Sequence, residues 1–456
     1  MIPSSGSNYI DLSNCDILQA VTQFQNSVIS PETLLEWHLT RIDHLEPSLN
    51  CFVTLDKAGA LESATESTNR YRAGQPRSVL EGIPIALKDN INVAGLPTSN
   101  GIASLRMPKN DAKVTARLKN AGAIVVGKLN MDECALGGTT KNPHHGATQN
   151  PWRQGFTPGG SSGGSGAAVS ANLVMAALGT DTLGSVRLPA AYCGVPGLKP
   201  TKNFINLQGI EPLCGSLDEV GPIGRSICDI VCMMSVLAED RICAFDTEAL
   251  SEIEVPKGLR IGVLEQIQEA HCTEEVITGF NSAVKEMVEL SAALIDVSLP
   301  ELNFTSLRRN CLLIIEAEGA EALANSLKFN PTDFSTTLKS MLEFGRNAPA
   351  SRLNAAKRDI AKLSSSIRHL FEKVDILALP TAPQTAFSFN DSVPENQADF
   401  TALASITGFP AIAIPCGISP TGLPLSLQLI TRNSQDMGLL KLCRALEKIW
   451  GRFIPK

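Results

Sequence analysis

Three segments of the chain hold the residues whose types and spacing could do chemistry. In GIPIALKDN (Gly82–Asn90) an apolar run ends on Lys88 and Asp89. In PGGSSGGSGAAVSA (Pro158–Ala171) two adjacent serines, Ser161 and Ser162, lie between glycines. In GTDTLGSVRLPA (Gly179–Ala190) Ser185 follows Gly184, with Asp181 and Arg187 bracketing it at positions suited to an ion pair. Glycines around a serine permit backbone angles that residues with a Cβ avoid, so such a loop can present hydroxyls and N–H groups at close quarters. A serine hydroxyl attacks poorly until a base takes its proton. Lysine can be that base only when neutral, which requires its pKa to fall from about 10.4 to roughly 7–8. That is on the order of 4 kcal/mol, within reach of burial beneath an apolar strand. The consecutive backbone N–H groups of Thr182, Leu183, Gly184 and Ser185 could converge on a carbonyl oxygen as an oxyanion hole.

Other readings of these segments fit less well. A phosphate cradle would need GxxxxGK[ST] or GxGxxG, and neither matches. Residues 159–163 satisfy GxSxG, the nucleophile elbow of α/β-hydrolases. That design needs an acid and then a histidine downstream, and only His271 and His369 follow Ser161, neither in a telling context. A flexible linker explains poorly a stretch of small residues that runs straight into a helix-like segment. His144 and His145 are adjacent, and a loop role near a pocket suits them better than catalysis.

Taken together, the three segments resemble the signature of the amidase signature family: a lysine in G-x-P-x-x-x-K-D, then GGSSGGS, then G-x-D-x-x-G-S-[IV]-R-x-P-A. The similarity extends through KLNMDECALGGTTKNPHHGATQNPW (128–152), CGVPGLKPT (Cys193–Thr201), GSLDEVGPIGRS (Gly215–Ser226) and TGFPAIAIPCG (Thr407–Gly417). It covers nearly the whole chain. The resemblance implies Ser185 as nucleophile, Ser161 as bridging serine in a cis peptide, and Lys88 as base. It places Ser162, Asp181 and Arg187 in the supporting network, Thr182–Ser185 in the oxyanion loop, and Cys134 and Ala135 at the substrate pocket. The implied activity is hydrolysis of a linear, non-peptide amide of a small molecule through an acyl-enzyme, with no metal or cofactor. The implied partner is that amide substrate; a homodimer or a small accessory subunit is compatible with it.

Within the family the chain looks most like the A subunit of glutamyl-tRNA amidotransferase and like small-amide hydrolases of the carboxybiuret type. It departs from the pattern in places. Leu183 stands where glycine is usual, which would narrow the pocket or reorient the loop. Leu353 and Ile360 fall where the glutamine-using subunit carries a Tyr and an Arg, and the acid expected ahead of TGFP misses register by one, with Asp399 nearest. These departures favour a free-standing amidase. The alternative is the glutamine-dependent transferase subunit; an inactive scaffold is a minor one, because all three catalytic residue types are in place.

The elements that must position these residues read as one α/β domain. Its core would be a large mixed, mostly parallel sheet flanked by helices: N-terminal helices over 1–75, the lysine and serine motifs over 76–230, and the remaining sheet and helices over 231–456. Ser30, Pro31 and Glu32 open a helix, with Pro47 expected to stop it. VLEGIPIALKDN reads as a buried strand, Asp111–Gly122 as an amphipathic helix and AIVVGK as the next strand, a βαβ unit. GAAVSANLVMAAL reads as a small-residue helix. LRIGVL, VDILALP, AIAIP and LSLQLI fit further strands, and Thr273–Leu294 and Ala350–Phe371 fit helices.

The 456 residues are 43% hydrophobic and 19% charged, ordinary for a large core, and the net charge of −7 without a Lys/Arg run lacks the electrostatic footprint of a nucleic-acid binder. Nucleic acid is thus expected only if the chain serves a tRNA amidotransferase. The opening MIPSSGSNYIDLSNCD has no signal-peptide pattern and no apolar stretch could span a bilayer, so a cytoplasmic, non-membrane protein is expected. Twelve cysteines without a CxxC pair read as buried free thiols, Cys228 and Cys232 among them.

Overall fold

The computed structural model describes residues 12–238, 255, 257–290 and 292–455. Its strands, in chain order, are β1 (Phe52–Leu55), β2 (Pro84–Lys88), β3 (Ile124–Leu129), β4 (Lys141–Asn142), β5 (Gly146–Ala147), β6 (Ala176–Asp181), β7 (Gly197–Lys199), β8 (Glu219–Gly224), β9 (Arg260–Leu264), β10 (Ala293–Val297), β11 (Ile376–Pro380), β12 (Ala411–Ile418) and β13 (Pro424–Ile430). Among the described residues, eleven of them form one sheet in the order β1-β3-β2-β6-β8-β7-β12-β13-β11-β9-β10, and β4 pairs with β5 alone. The sheet is mixed, as expected for this α/β chain, and its parallel pairings form two blocks. One is β3-β2-β6; the other is β11-β9-β10. Antiparallel strands lie between them.

The first parallel block matters for chemistry. Every residue of β2, β3 and β6 is buried, which is why β2 and β3 read as near-continuous apolar runs rather than alternating ones. The helix Lys113–Asn120 crosses from β2 to β3, completing the expected βαβ unit. Its cap is Ala112, without a side-chain bond. Asp111 instead accepts from the Ala94 N–H at 2.7 Å and from Lys119 Nζ at 2.9 Å.

Several boundaries differ from the sequence reading. Ser30 does cap a helix with proline at its first position, but Pro47 lies inside that helix, which ends two residues later at Leu49 on a left-handed Asn50. The N-terminal segment is not all helical, since Phe52–Leu55 is a strand; its first eleven residues lie outside the described ones. The small-residue helix stops at Ser170, and Ala176–Leu178 belong to β6 instead. Alanine and glycine carry weak period signals, so helix and strand ran together there. The helix expected over 273–294 ends at Glu289, and Ala293 and Leu294 begin β10.

No helix among the described residues is long and apolar enough to cross a membrane. The described cysteines are free thiols, and Cys228 and Cys232 are buried on the helix Ile227–Leu237.

Candidate active site

Lys88 is the last residue of β2 and is wholly buried. Its Nζ lies 2.7 Å from Ser161 Oγ and 2.8 Å from Thr180 Oγ1. Burial pushes the lysine from its ordinary 10.5 down to about 7, with Asp132, Asp218 and Asp181 drawing it partly back up. Desolvation therefore outweighs three nearby carboxylates. In the neutral form the Ser161 hydroxyl donates to the lysine nitrogen, which in turn donates to Thr180.

The glycine-rich loop brings Ser161 to that nitrogen. The Gly160–Ser161 peptide is cis. A Cβ on Gly160 would stand 2.0 Å from Asp132 Oδ2, so only glycine fits. Asp132 organises this turn. Its N–H donates to the Ser161 carbonyl at 3.1 Å, and its carboxylate accepts the N–H groups of Thr140 at 2.9 Å and Thr139 at 3.1 Å. Burial holds the Asp132 carboxyl up at about 6, against the pull of those N–H groups and of Lys88. Ser162 ties the two serine segments together: its N–H donates to the Ser185 carbonyl at 3.2 Å, and its hydroxyl donates to the Thr180 carbonyl at 3.2 Å.

Ser185 sits between the end of β6 and the helix Arg187–Cys193, 9% exposed where Lys88 and Ser161 are 0% exposed. Asp181 and Arg187 form a bidentate pair at 2.8 and 2.9 Å, both fully buried. Burial would raise the Asp181 carboxyl, but Arg187 holds it below the usual range. Arg187 also donates to the Thr401 carbonyl and Gln428 Oε1 at 2.8 and 2.7 Å, locking the loop to distant parts of the chain.

The four residues expected in the oxyanion loop are not equivalent. The Gly184 N–H donates to Asp181 Oδ1 at 2.7 Å, so it shapes the turn rather than facing a substrate. Its φ of +127° and a Cβ contact of 2.4 Å with Thr401 Oγ1 make it an obligatory glycine. The Leu183 carbonyl accepts from Thr401 Oγ1 at 2.6 Å, and its side chain packs into the main apolar core. Thr182 Oγ1 donates to Asp218 at 2.6 Å.

A cavity of about 100 Å³ borders this group through Thr180, Thr182, Asn90 and Ala135. Of the two expected pocket residues only Ala135 lines it. Cys134 faces a separate cleft and packs with Phe334 and Leu338; successive left-handed angles at Cys134 and Ala135 turn the two side chains apart. Leu183 does not line the cavity either, so of its two expected effects, narrowing the pocket or reorienting the loop, the first is not seen there. Leu353 and Ile360 pack against the core. Asp399 forms an ion pair with Arg308 from the helix Phe304–Ala322. His144 engages Glu133 and His145 the Ile102 carbonyl, each at 3.0 Å.

Sequence reasoning missed Thr180, Asp132, Asp218 and Asn90. Thr180 stood inside a segment already singled out, one residue ahead of Asp181. Asn90 likewise ended the lysine motif, and Asp132 and Asp218 lay within segments that carry the family resemblance, but their roles emerged only when the chain brought them together. Among the described residues, no three His, Cys, Asp or Glu side chains gather as a metal cluster would require.

On this mixed sheet wrapped by helices, a buried lysine is held against a serine of a glycine-rich loop. The amidase family model matches residues 33–440. The A subunit of the glutamyl-tRNA(Gln) amidotransferase from Synechococcus sp. (strain CC9605) is 34% identical over 93% of this chain and 94% of its own. A solved amidase superposes with a TM-score of 0.88 at 30% identity, covering 96% of this chain and 100% of that one. The peptide amidase from Stenotrophomonas maltophilia does so with a TM-score of 0.84 at 27% identity, over 98% and 99%. The chain belongs to the amidase signature family, hydrolases acting on carbon–nitrogen bonds.

Proposed function

We propose that this protein cleaves a small linear amide through an acyl-enzyme on Ser185, with Ser161 as proton relay and Lys88 as base. The observation that carries the reading is the wholly buried Lys88 nitrogen 2.7 Å from Ser161 Oγ, in surroundings that bring its pKa to about 7. Such a lysine is neutral in a substantial fraction near pH 7 and still basic, the condition a general base must meet. Ser161 takes the proton from Ser185 as Oγ attacks the carbonyl, passes it to Lys88, and returns it to the departing nitrogen. Water then repeats the sequence on the ester. The N–H groups of Thr182, Leu183 and Ser185 are the oxyanion donors in this scheme, and Asp181 with Arg187 holds their loop.

Small neutral or carbamoyl amides are the proposed substrates. No lysine or arginine is among the cavity's described lining residues, which include Glu211, Asp218 and Glu219. Ile360 and Leu353, at the positions where the glutamine-using subunit carries an Arg and a Tyr, pack against the core and offer a glutamine α-carboxylate no cation, and an unpaired buried charge is costly. A second reading has one specific support: the Synechococcus relative is named as the A subunit of an amidotransferase. Under it the chain would liberate ammonia from glutamine for a partner protein.

The deciding test of the catalytic assignment is trapping of the acyl-enzyme with a slow ester or carbamate, followed by peptide mapping. The adduct is expected on Ser185. An adduct on Ser161 or Ser162 would overturn the roles.

A further inference from the structure

Asn90 carries a polar atom that the catalytic scheme leaves unused. The residue is 1% exposed, and its Nδ2 donates to Thr180 Oγ1 at 3.1 Å. Its Oδ1 is buried with no hydrogen-bond partner. Buried acceptors are nearly always paired, so an orphan demands an explanation, an unseen ligand or water among them. Here the orphan belongs to a residue that lines the cavity of about 100 Å³. Thr180 Oγ1 also accepts from Lys88 Nζ at 2.8 Å, so Lys88, Thr180 and Asn90 form a continuous polar chain from the base to the cavity wall.

The other polar groups of that wall have partners. Asp218 accepts from Thr182 Oγ1 and from the N–H groups of Leu213 and Cys214. Glu211 is paired with Arg106, and Glu219 accepts from the Asn203 N–H. Apolar Leu207, Ile210 and Ala135 make up much of the remainder. One water needs roughly 10–15 Å³ of such space, so the cavity has room for a few waters, ammonia or a small primary amine.

We propose that this cavity binds the small neutral N–H or O–H donor that exchanges with the acyl group on Ser185, anchored on Asn90 Oδ1. The proposal rests on the acyl-enzyme reading above and adds where the incoming or departing molecule waits. For an amine, the nitrogen forms the new C–N bond while the acyl carbon–Oγ bond of Ser185 breaks. The proton lost by the nitrogen returns to Ser185 Oγ through Ser161 and Lys88. For water the same step yields the acid.

The test is partitioning of the acyl-enzyme, formed from an ester substrate, between water and added hydroxylamine. The hydroxamate-to-acid ratio does not depend on how much of a variant is active, so a merely structural defect leaves it unmoved. If the occupant is an amine, the ratio saturates with hydroxylamine in the wild type. Asn90→Leu, and independently the cavity-filling Leu207→Phe, then lower it by about fivefold or more, the scale of one lost hydrogen bond. If the occupant is water, the ratio stays first-order in hydroxylamine, and the same variants slow deacylation relative to acylation by a like factor in burst kinetics. Ratio and deacylation both unchanged in folded variants overturn the proposal. Absence of any hydroxamate or burst from the wild type, with Ser185 unlabelled by the trapping reagent, sinks the acyl-enzyme reading and the proposal with it.

Discussion

Lys88→Met should inactivate the enzyme and stabilise it at the same time. In an unfolded chain the lysine keeps its ordinary pKa of 10.5, while burial lowers it to about 7 in the fold. The gap corresponds to about 5 kcal/mol, because each pKa unit is worth ~1.36 kcal/mol. The sign follows from proton binding. Between about pH 7 and 10.5 the unfolded state holds the proton and the folded state does not, so wild-type stability rises with pH across that window. Below about pH 7 both states hold it and the full cost remains. Methionine has similar length and no charge, so it removes this cost but forfeits the bonds to Ser161 and Thr180, about 1 kcal/mol each. The net expectation at pH 7 is a gain of about 1–3 kcal/mol. It should shrink as pH rises toward 10.5, while kcat/KM falls by about 10²–10⁴. Urea unfolding of both proteins at pH 7 and 9.5, alongside an ammonia-release assay, measures all three quantities. A variant less stable than wild type at pH 7, or a stability difference independent of pH, would refute the account of a buried neutral lysine.

Other outcomes follow from the same geometry. In the wild type, kcat/KM should climb about tenfold per pH unit below about 7 and level off above it, as Lys88 loses its proton; a profile flat from acid to base excludes a lysine base. Ser161→Ala should cost about 10²–10⁴ in kcat/KM while the fold persists, with water relaying part of the proton traffic; full activity would remove Ser161 from the path. Arg187→Met leaves Asp181 buried without its partner and should destabilise by about 3–5 kcal/mol in chemical denaturation; a change under about 1 kcal/mol would show that the pair is dispensable. In a side-by-side panel, simple neutral amides should exceed glutamine by about tenfold or more in kcat/KM, a difference of ~1.4 kcal/mol. Preference for glutamine, or activity only when charged tRNA and a second protein are supplied, favours the transferase reading.

Residue type and spacing alone determined which side chains to look for. Lys88, Ser161 and Ser185 lie in three motifs whose glycines and apolar flanks are dictated locally: an apolar run makes a buried strand, and glycine opens a serine loop. The strands rich in Ile, Val and Leu, such as β3 and β9, were legible for the same reason. Strand β6 was not, because its Ala-Ala-Leu-Gly-Thr-Asp sequence has neither period and its identity comes from pairing with β2 and β8. Tertiary structure alone decided the electrostatics. The depressed lysine pKa is a property of total burial among residues from several segments, and Asp132 and Asp218 act on it from 44 and 130 positions away along the chain. The fate of the Gly184 N–H, the divergence of Cys134 from Ala135 and the pairing of Arg308 with Asp399 were likewise settled by three-dimensional contact. Desolvation and hydrogen-bond competition depend on which groups meet in space, and local sequence does not specify those meetings.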